Sequence, residues 1–288
     1  RECFSCHHQA LPVLTIVDAR RRGFDIDETN LLAQLARTVA HLKRGRSAYA
    51  DGRGQGGQVD TAGWAMWALS VSSHPADETT EVVSQYLLTW QSDLGHWRPS
   101  SRGRSPTQGS DFTATYLALY GLTTFVMPEQ EPEVTARKER VKSWLIDTEP
   151  TETEDHVFRL RALHELAVDQ KFLDEAAAKL LSLQGDNGGW AQTAERRSDA
   201  YATGTVLATL CDIGSLQPDD EAYRRGVAFL LKTQLSDGSW HVTTRAKPIQ
   251  VYFESGFPHG KDQFVSMAAT CWATMALLKA CPEQEAAH

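Results

Sequence analysis

Apolar residues recur with helical spacing along most of this chain, and they nowhere alternate over a length that would make a strand. Two kinds of segment take turns. In the first, the apolar positions trace one face. Examples are Leu31, Leu32, Leu35, Val39 and Leu42, closed by Gly45, and Val82, Val83, Tyr86, Leu87 and Trp90. Further helices of this kind run through Val134–Leu145, Leu173–Leu183 and Ala222–Leu231. In the second kind, small and apolar residues surround the helix, so it can be packed on both sides. Five of these begin with an acid, at Asp60, Asp111, Asp155, Asp199 and Asp262, and a sixth runs from about His7 to Arg22, stopped by Gly23. An aspartate at a helix start accepts from free backbone donors, so capping is the expected role of each.

A repeat punctuates the alternation. Gln91-Ser-Asp-Leu-Gly95-His-Trp97, Gln184-Gly-Asp-Asn-Gly188-Gly-Trp190 and Gln234-Leu-Ser-Asp-Gly238-Ser-Trp240 share Gln-x-x-x-Gly-x-Trp, each after an amphipathic helix. The glycine suits a left-handed helix stop, and the tryptophan can fold back over the helix end. The acid-led starts recur at roughly 44 to 63 residues, a period of helical-hairpin arrays. Six small-residue helices inside and five outside predict an all-α toroid, a single α/α barrel domain over residues 1–288. All inner helices then begin at one mouth, and a sixth outer helix is expected to precede Arg1.

Composition narrows the chemistry. Hydrophobic residues at 41% and charged residues at 23% exclude a disordered chain. A formal net charge of -8 argues against broad binding to nucleic acid or anionic membranes. No apolar run approaches the roughly 20 residues of a membrane span. No signal peptide is present in the chain as given, and an upstream targeting segment removed before Arg1 is an expectation.

The Gln-x-x-x-Gly-x-Trp repeats resemble the QW motifs of squalene-hopene cyclases and related terpene cyclases. The acid-led inner helices resemble those of that fold and of protein prenyltransferase β subunits. The resemblance covers the chain from about residue 27 onward and implies a terpenoid cyclase-like barrel. Class II cyclases protonate an alkene or epoxide with an Asp-x-Asp-Asp acid, and they resemble two helical domains together. This chain has no such run and the length of one barrel; Asp111 or Asp199 alone is the acid left open. Prenyltransferase zinc chemistry would need Asp, Cys and His on inner helices. Cys211 and Cys271 lack the matching partners, so they are expected to be core residues. Trp64, Trp67, Tyr116 and Trp272 lie on inner helices, where an aromatic is more often core than a carbocation stabiliser.

One segment stands apart. Cys3-Phe-Ser-Cys6-His7 matches the Cys-x-x-Cys-His of covalent haem attachment, with two thiols for the porphyrin vinyls and His7 for the iron. Joined to this barrel, it also resembles c-type haem proteins of environmental bacteria. The alternatives are a zinc site using Cys3, Cys6, His7 or His8, and a Cys3–Cys6 disulfide. For the second iron ligand the sequence offers His259, then His156 and Met267, or an open site. Arg53, Arg98, Arg102 and Arg104 could pair with propionates, or be solvated surface.

These readings order the functions. The first is a c-type cytochrome with one haem c at the barrel mouth, working outside the cytoplasm (periplasmic if bacterial) with a redox partner protein or small redox molecule. The alternative is a class II, squalene-hopene type cyclase-like enzyme acting on an isoprenoid, and a third is a binding barrel for a peptide or lipid, with the cysteines holding a structural metal; an apolar small ligand in the barrel is a further expected partner.

Overall fold

In the computed structural model, residues 9–248 and 251–284 are described. Among them are eleven α-helices and two short 3-10 turns, at Pro128–Gln130 and Gly260–Asp262, and no strand. The inner helices are α1 (Leu11–Arg21), α3 (Gln58–Val71), α5 (Asp111–Phe125), α7 (Thr153–Glu165), α9 (Ala200–Asp212) and α11 (Gln263–Leu278). The outer helices are α2 (Glu28–Ala50), α4 (Glu78–Thr89), α6 (Glu131–Asp147), α8 (Gln170–Ser182) and α10 (Glu221–Thr233). Each inner helix packs against the next, and α11 closes on α1, so the predicted toroid is the observed fold.

Local chemistry explains the helix starts. Asp27 caps α2 through the Asn30 amide, and Asp77 forms a capping box with Thr80 at α4. Ser110, rather than Asp111, caps α5, while Asp199 caps α9 through the Ala202 amide. One stop differs from expectation. The outer helix expected to end at Gly45 continues to Ala50. Gly45 is buried inside it, and a Cβ there would lie 2.2 Å from the Gln55 side chain, whose amide bonds the His41 carbonyl. The glycine makes room for that side chain, and tertiary packing overrides its helix-stopping tendency.

The three repeats build one device three times. Each glycine takes a left-handed φ, +94° at Gly95, +84° at Gly188 and +82° at Gly238. Each glutamine amide donates to that glycine's carbonyl, at 2.8, 2.9 and 3.0 Å. Each tryptophan turns back so that its indole Nε1 donates to a carbonyl ten residues earlier: Leu87, Leu180 and Leu230, at 2.7, 2.8 and 2.9 Å. Those carbonyls belong to the last turns of α4, α8 and α10, where the regular i→i−4 amide partner is missing, and the indole adds to a weaker bond from the helix end: the Trp90 amide on Leu87, the Leu183 amide on Leu180 and the Thr233 hydroxyl on Leu230. The tryptophan amides bond Thr115, Thr203 and Thr270 on the following inner helices, tying the outer layer to the inner.

Inner helices approach closely where small residues allow it. A Cβ on Gly204 of α9 would sit 2.6 Å from the Ala273 amide nitrogen of α11, so that contact tolerates no side chain.

Candidate functional site

The centre of the ring is identified by contacts that cross it. Trp67 of α3 has α1 and α5 as ring neighbours, yet its ring lies 6.2 Å from Trp272 of α11 and 5.6 Å from the Arg161 guanidinium of α7. Trp67 therefore points inward. At 3.6 residues per turn, Trp64 and Asp60 share its face, with Asp60 two turns nearer the mouth. Trp64 stacks on Trp67 at 5.3 Å, and Tyr116 meets Trp67 edge-on at 5.3 Å. On α7 the inward stripe is Glu154, Phe158 and Arg161, with Phe158 5.5 Å from Tyr116.

Asp60 is fully buried at the head of this aromatic stripe. It does not cap its helix, contrary to expectation. One carboxyl oxygen, Oδ2, accepts from the Ser100 amide at 2.9 Å and the Ser100 hydroxyl at 3.0 Å. The other, Oδ1, is buried with no hydrogen-bond partner, as are the indole nitrogens of Trp64 and Trp272. Burial pushes the Asp60 carboxyl up to about 6, against the pull of the two Ser100 bonds.

A second buried acid stands at the same end of the ring. Glu154 receives the Tyr201 hydroxyl at 3.0 and 3.1 Å and the Thr113 hydroxyl at 3.3 Å. Burial raises it to about 8, which favours the protonated form at pH 7. It borders a narrow cavity between Pro106, Gln192, Tyr201 and Thr205 with no room for a water molecule.

The far end of the lumen is closed by charge. Arg161 lies over Trp67 and Trp272, at 5.6 and 5.5 Å, and reaches Thr209 at 2.8 Å and Asp212 at 2.9 Å. Lys279 bridges Asp212 at 2.8 Å and Asp18 at 3.0 Å, and Asp18 holds Arg22 at 3.1 Å. Burial pushes the Asp212 carboxyl up, but Arg161 and Lys279 outweigh it and hold it below the usual range.

The other expected residues find ordinary roles. Asp111 is held by both oxygens on Arg102 at 2.8 Å, and Asp199 caps α9 while accepting from Gln192 at 2.9 Å. Neither offers a free acid. Asp155 accepts from the Thr151 hydroxyl and the Glu152 amide, and Asp262 from the Thr244 amide and His241. Arg53 pairs with Asp51 at 2.9 Å, and Arg104 with Gln108 at 3.0 Å. Cys211 and Cys271 are free thiols pushed up to about 12 by burial, as core cysteines would be.

Cys3, Cys6, His7 and His8 lie outside the described residues. His259 precedes α11 with a left-handed φ of +86°, its Nε2 2.9 Å from the Ser239 hydroxyl and its ring stacked on His241. His156 lies two residues beyond Glu154, hence on the opposite side of α7 from the lumen. Met267, five residues before Trp272, faces outward from α11 in the same way. Among the described residues, no group of three or more His, Cys, Asp or Glu is placed to hold a metal ion.

The class that this ring and its repeats define is the terpene cyclase-like α/α barrel. Among solved structures, the chain is similar to the type II terpene cyclase MstE from Scytonema, in a single-substitution variant in complex with geranylgeranyl dihydroxybenzoate as substrate. That likeness has a TM-score of 0.62 at 17% identity and covers 96% of this chain and 88% of the other. A second variant of the same cyclase, in complex with the product merosterolic acid A, matches at TM-score 0.61 and 17% identity, over 94% and 87%. A crystal structure of a protein from Actinoplanes matches at TM-score 0.60 and 15% identity, over 95% and 90%. In sequence, lanosterol synthase erg7A of Aspergillus fumigatus is 31% identical over 107 residues, 37% of this chain and 13% of that protein. The chain thus matches a small part of the curated relative's length. No family model matches the chain.

These findings correct two readings. The c-type cytochrome, with its electron transfer, iron and haem, gives way, because the whole-chain likeness is to type II terpene cyclases and the sequence relative is a lanosterol synthase. The expectation that cyclases of this type need two helical domains also fails, since a type II terpene cyclase is spanned to 88% of its length by this one ring. The residue that sequence reasoning passed over is Asp60. Its signal was present as an acid two turns ahead of Trp67 on one face, but an all-round apolar helix does not announce which face turns inward.

Proposed function

We propose that the protein is a proton-initiated isoprenoid cyclase of the type II kind, with Asp60 as the acid. The observation that carries the reading is the split environment of that carboxyl. Oδ2 takes two hydrogen bonds from Ser100 and Oδ1 is buried without a partner at the head of the inward-facing aromatic stripe of α3. The proton belongs on Oδ1, and the Ser100 bonds stabilise the carboxylate left behind when it departs. An alkene π pair, or an epoxide oxygen, takes that proton. A positive centre then forms next to Trp64 and Trp67, whose ring faces attract cations. Ring closure moves the charge along the chain, and loss of a proton from carbon ends the sequence with no net change in protons. Arg161, itself a cation between Trp67 and Trp272, repels positive charge from the closed end and keeps the chemistry in the mouth half. The neighbours' bound substrate and product, and the lanosterol synthase likeness, support an isoprenoid as the ligand class.

The test offers linear polyprenes, among them geranylgeranyl dihydroxybenzoate and terminal epoxides, and looks for cyclised products by mass spectrometry. We expect turnover that Asp60→Asn lowers by about 10²–10⁴-fold, the range of a lost general acid, with an unchanged melting temperature. Cyclisation at the same rate in Asp60→Asn, or no cyclised product from any of these by the native protein, would overturn the reading.

A further inference from the structure

The centre of the ring is closed to solvent. Asp60, Trp64 and Trp272 are at most 1% exposed, and the ionic contacts of Arg161, Asp212 and Lys279 shut the far end. A ligand of polyprene size therefore enters where the inner helices begin. Two segments cover that mouth: residues 98–110, which lead into α5, and residues 241–247, which follow the third repeat.

The two are fastened differently. The first is held by packing. Pro106, Thr107, Gln108 and Ser110 are buried, with Pro106 beside Glu154 and Tyr201. In the second, Val242 alone is buried, and polar contacts do the fastening. The Val242 amide donates to the Ser266 hydroxyl at 3.1 Å and the Thr244 amide to Asp262 at 2.9 Å, both at the start of α11. Arg245 then reaches away from α11. Its Nε donates to Gln192, ahead of α9, at 2.8 Å, and its Nη1 to Glu152, at the start of α7, at 2.8 Å. Its Nη2 takes the second Glu152 oxygen. Lys247 completes the crossing, its amide donating to the Gly103 carbonyl at 2.7 Å. Ser100, three residues before Gly103, is the residue that holds Asp60, so this seam joins the crossing segment to the loop that covers the acid. A segment fixed by one charged fork and a few backbone bonds opens at lower cost than the packed ring beneath it.

We propose that residues 241–247 are a gate over the mouth, latched by Arg245 on Glu152, and that parting of the Lys247–Gly103 seam opens the ring centre. The identity of what passes, an isoprenoid, rests on the cyclase reading; the gate rests on the closed centre and the seam. A gate suits that chemistry, because water admitted beside a carbocation captures it before ring closure.

The test locks the seam. A Cβ on Gly103 would lie 3.6 Å from the Lys247 Cβ, inside the separation of about 3.5–4.5 Å that a disulfide requires. Gly103 does not take a left-handed φ, so the whole chain carrying Gly103→Cys with Lys247→Cys is the locked form when oxidised. The readout is hydrogen exchange of the indole N–H groups, followed by NMR. Those of Trp64 and Trp272 are buried without a partner, so they exchange when water reaches the ring centre. Those of Trp97, Trp190 and Trp240 are bonded to helix ends and serve as controls. Exchange at Trp64 and Trp272 is expected to fall about tenfold or more on oxidation, to recover on reduction with dithiothreitol, and to rise roughly tenfold in Arg245→Met. The controls, and each single cysteine variant oxidised alike, are expected to stay unchanged. Circular dichroism melts check that the ring is intact. Exchange that neither the lock nor Arg245→Met alters overturns the gate, as does slowing shared by the controls. Turnover of geranylgeranyl dihydroxybenzoate then separates the two readings. Turnover lost on oxidation and regained on reduction supports both. Turnover indifferent to a lock that slows exchange overturns the gate as the ligand's path. Absence of turnover in the native protein, with exchange that obeys the lock, supports the gate and overturns the cyclase reading.

Discussion

A carboxyl group taken out of water resists ionisation, and among the acids that the ring buries at the mouth Asp60 and Glu154 are pushed up by it. What touches their oxygens separates their roles. Glu154 has hydroxyls on its carboxyl from two neighbouring helices and is raised to about 8, which favours the protonated form of this structural acid at neutral pH. Asp60, at about 6, lies closer to the acidity a proton donor needs and keeps one oxygen free. Turnover carried by protonated Asp60 should therefore decline as pH rises above about 6, approaching tenfold per unit, and a rate flat from pH 5 to 8 would exclude it as the donor. Glu154 acts on stability instead. Between its unfolded value near 4.5 and about 8, the unfolded chain has lost the proton that the folded chain keeps, so its contribution falls as pH rises. Glu154→Gln, which cannot ionise, should gain on the native protein in melting temperature between pH 5 and 8. A gap that stays constant over that window would show Glu154 ionised in the fold.

At the scale of elements, the repeat was legible and the lumen was not. Gln-x-x-x-Gly-x-Trp is a local pattern, with the glutamine-to-glycine bond and the indole-to-carbonyl bond both closed within ten residues, so a single sequence displays it. Trp67, Trp272 and Arg161 come together only when α3, α11 and α7 face one another across a closed ring, and their helices are apolar on all sides. The acids were legible as helix starts but not by role. Asp199 caps its helix as expected, whereas Asp60, two residues inside α3, bonds a loop instead. The repeat itself supplies a graded prediction. Trp190→Phe keeps the aromatic bulk but removes the indole bond and leaves the Leu180 carbonyl with the Leu183 amide alone, at a cost of about 0.5–1.5 kcal/mol in urea unfolding. Alanine at Gly188 and at Gly238 carries the same left-handed strain, about 1–2 kcal/mol. Only at Gly188 does the new Cβ also run into α10, so Gly188→Ala should be clearly the more damaging of the two. Equal losses would mean that the turn, rather than the helix seated on it, sets the need for glycine.

Across the whole molecule, a ring of helices has a centre that must be filled or held open, and here the two ends are treated differently. The mouth half is aromatic, with buried polar atoms left unpaired, while the closed end carries an ionic chain through four inner helices. Arg161 of α7, Asp212 of α9, Lys279 at the end of α11 and Asp18 of α1 run in sequence across it. Arg161 is 7% exposed, and the cost of taking its charge from water is offset by Asp212, Thr209 and two indole faces together. Arg161→Met removes the cation and leaves Asp212 with Lys279 alone. A broken buried pair costs about 3–5 kcal/mol, and the partial exposure of Asp212 places this one at the lower end, near 3 kcal/mol. Much of that loss is the stranded carboxylate, so adding Asp212→Asn to Arg161→Met should recover part of it even though a second charge has been deleted. Urea midpoints of the native protein, both single variants and the double variant close the cycle. A double variant as unstable as the two losses summed would show the charges acting independently, and the closed end would then be held by packing on Trp67 and Trp272 rather than by the ionic chain.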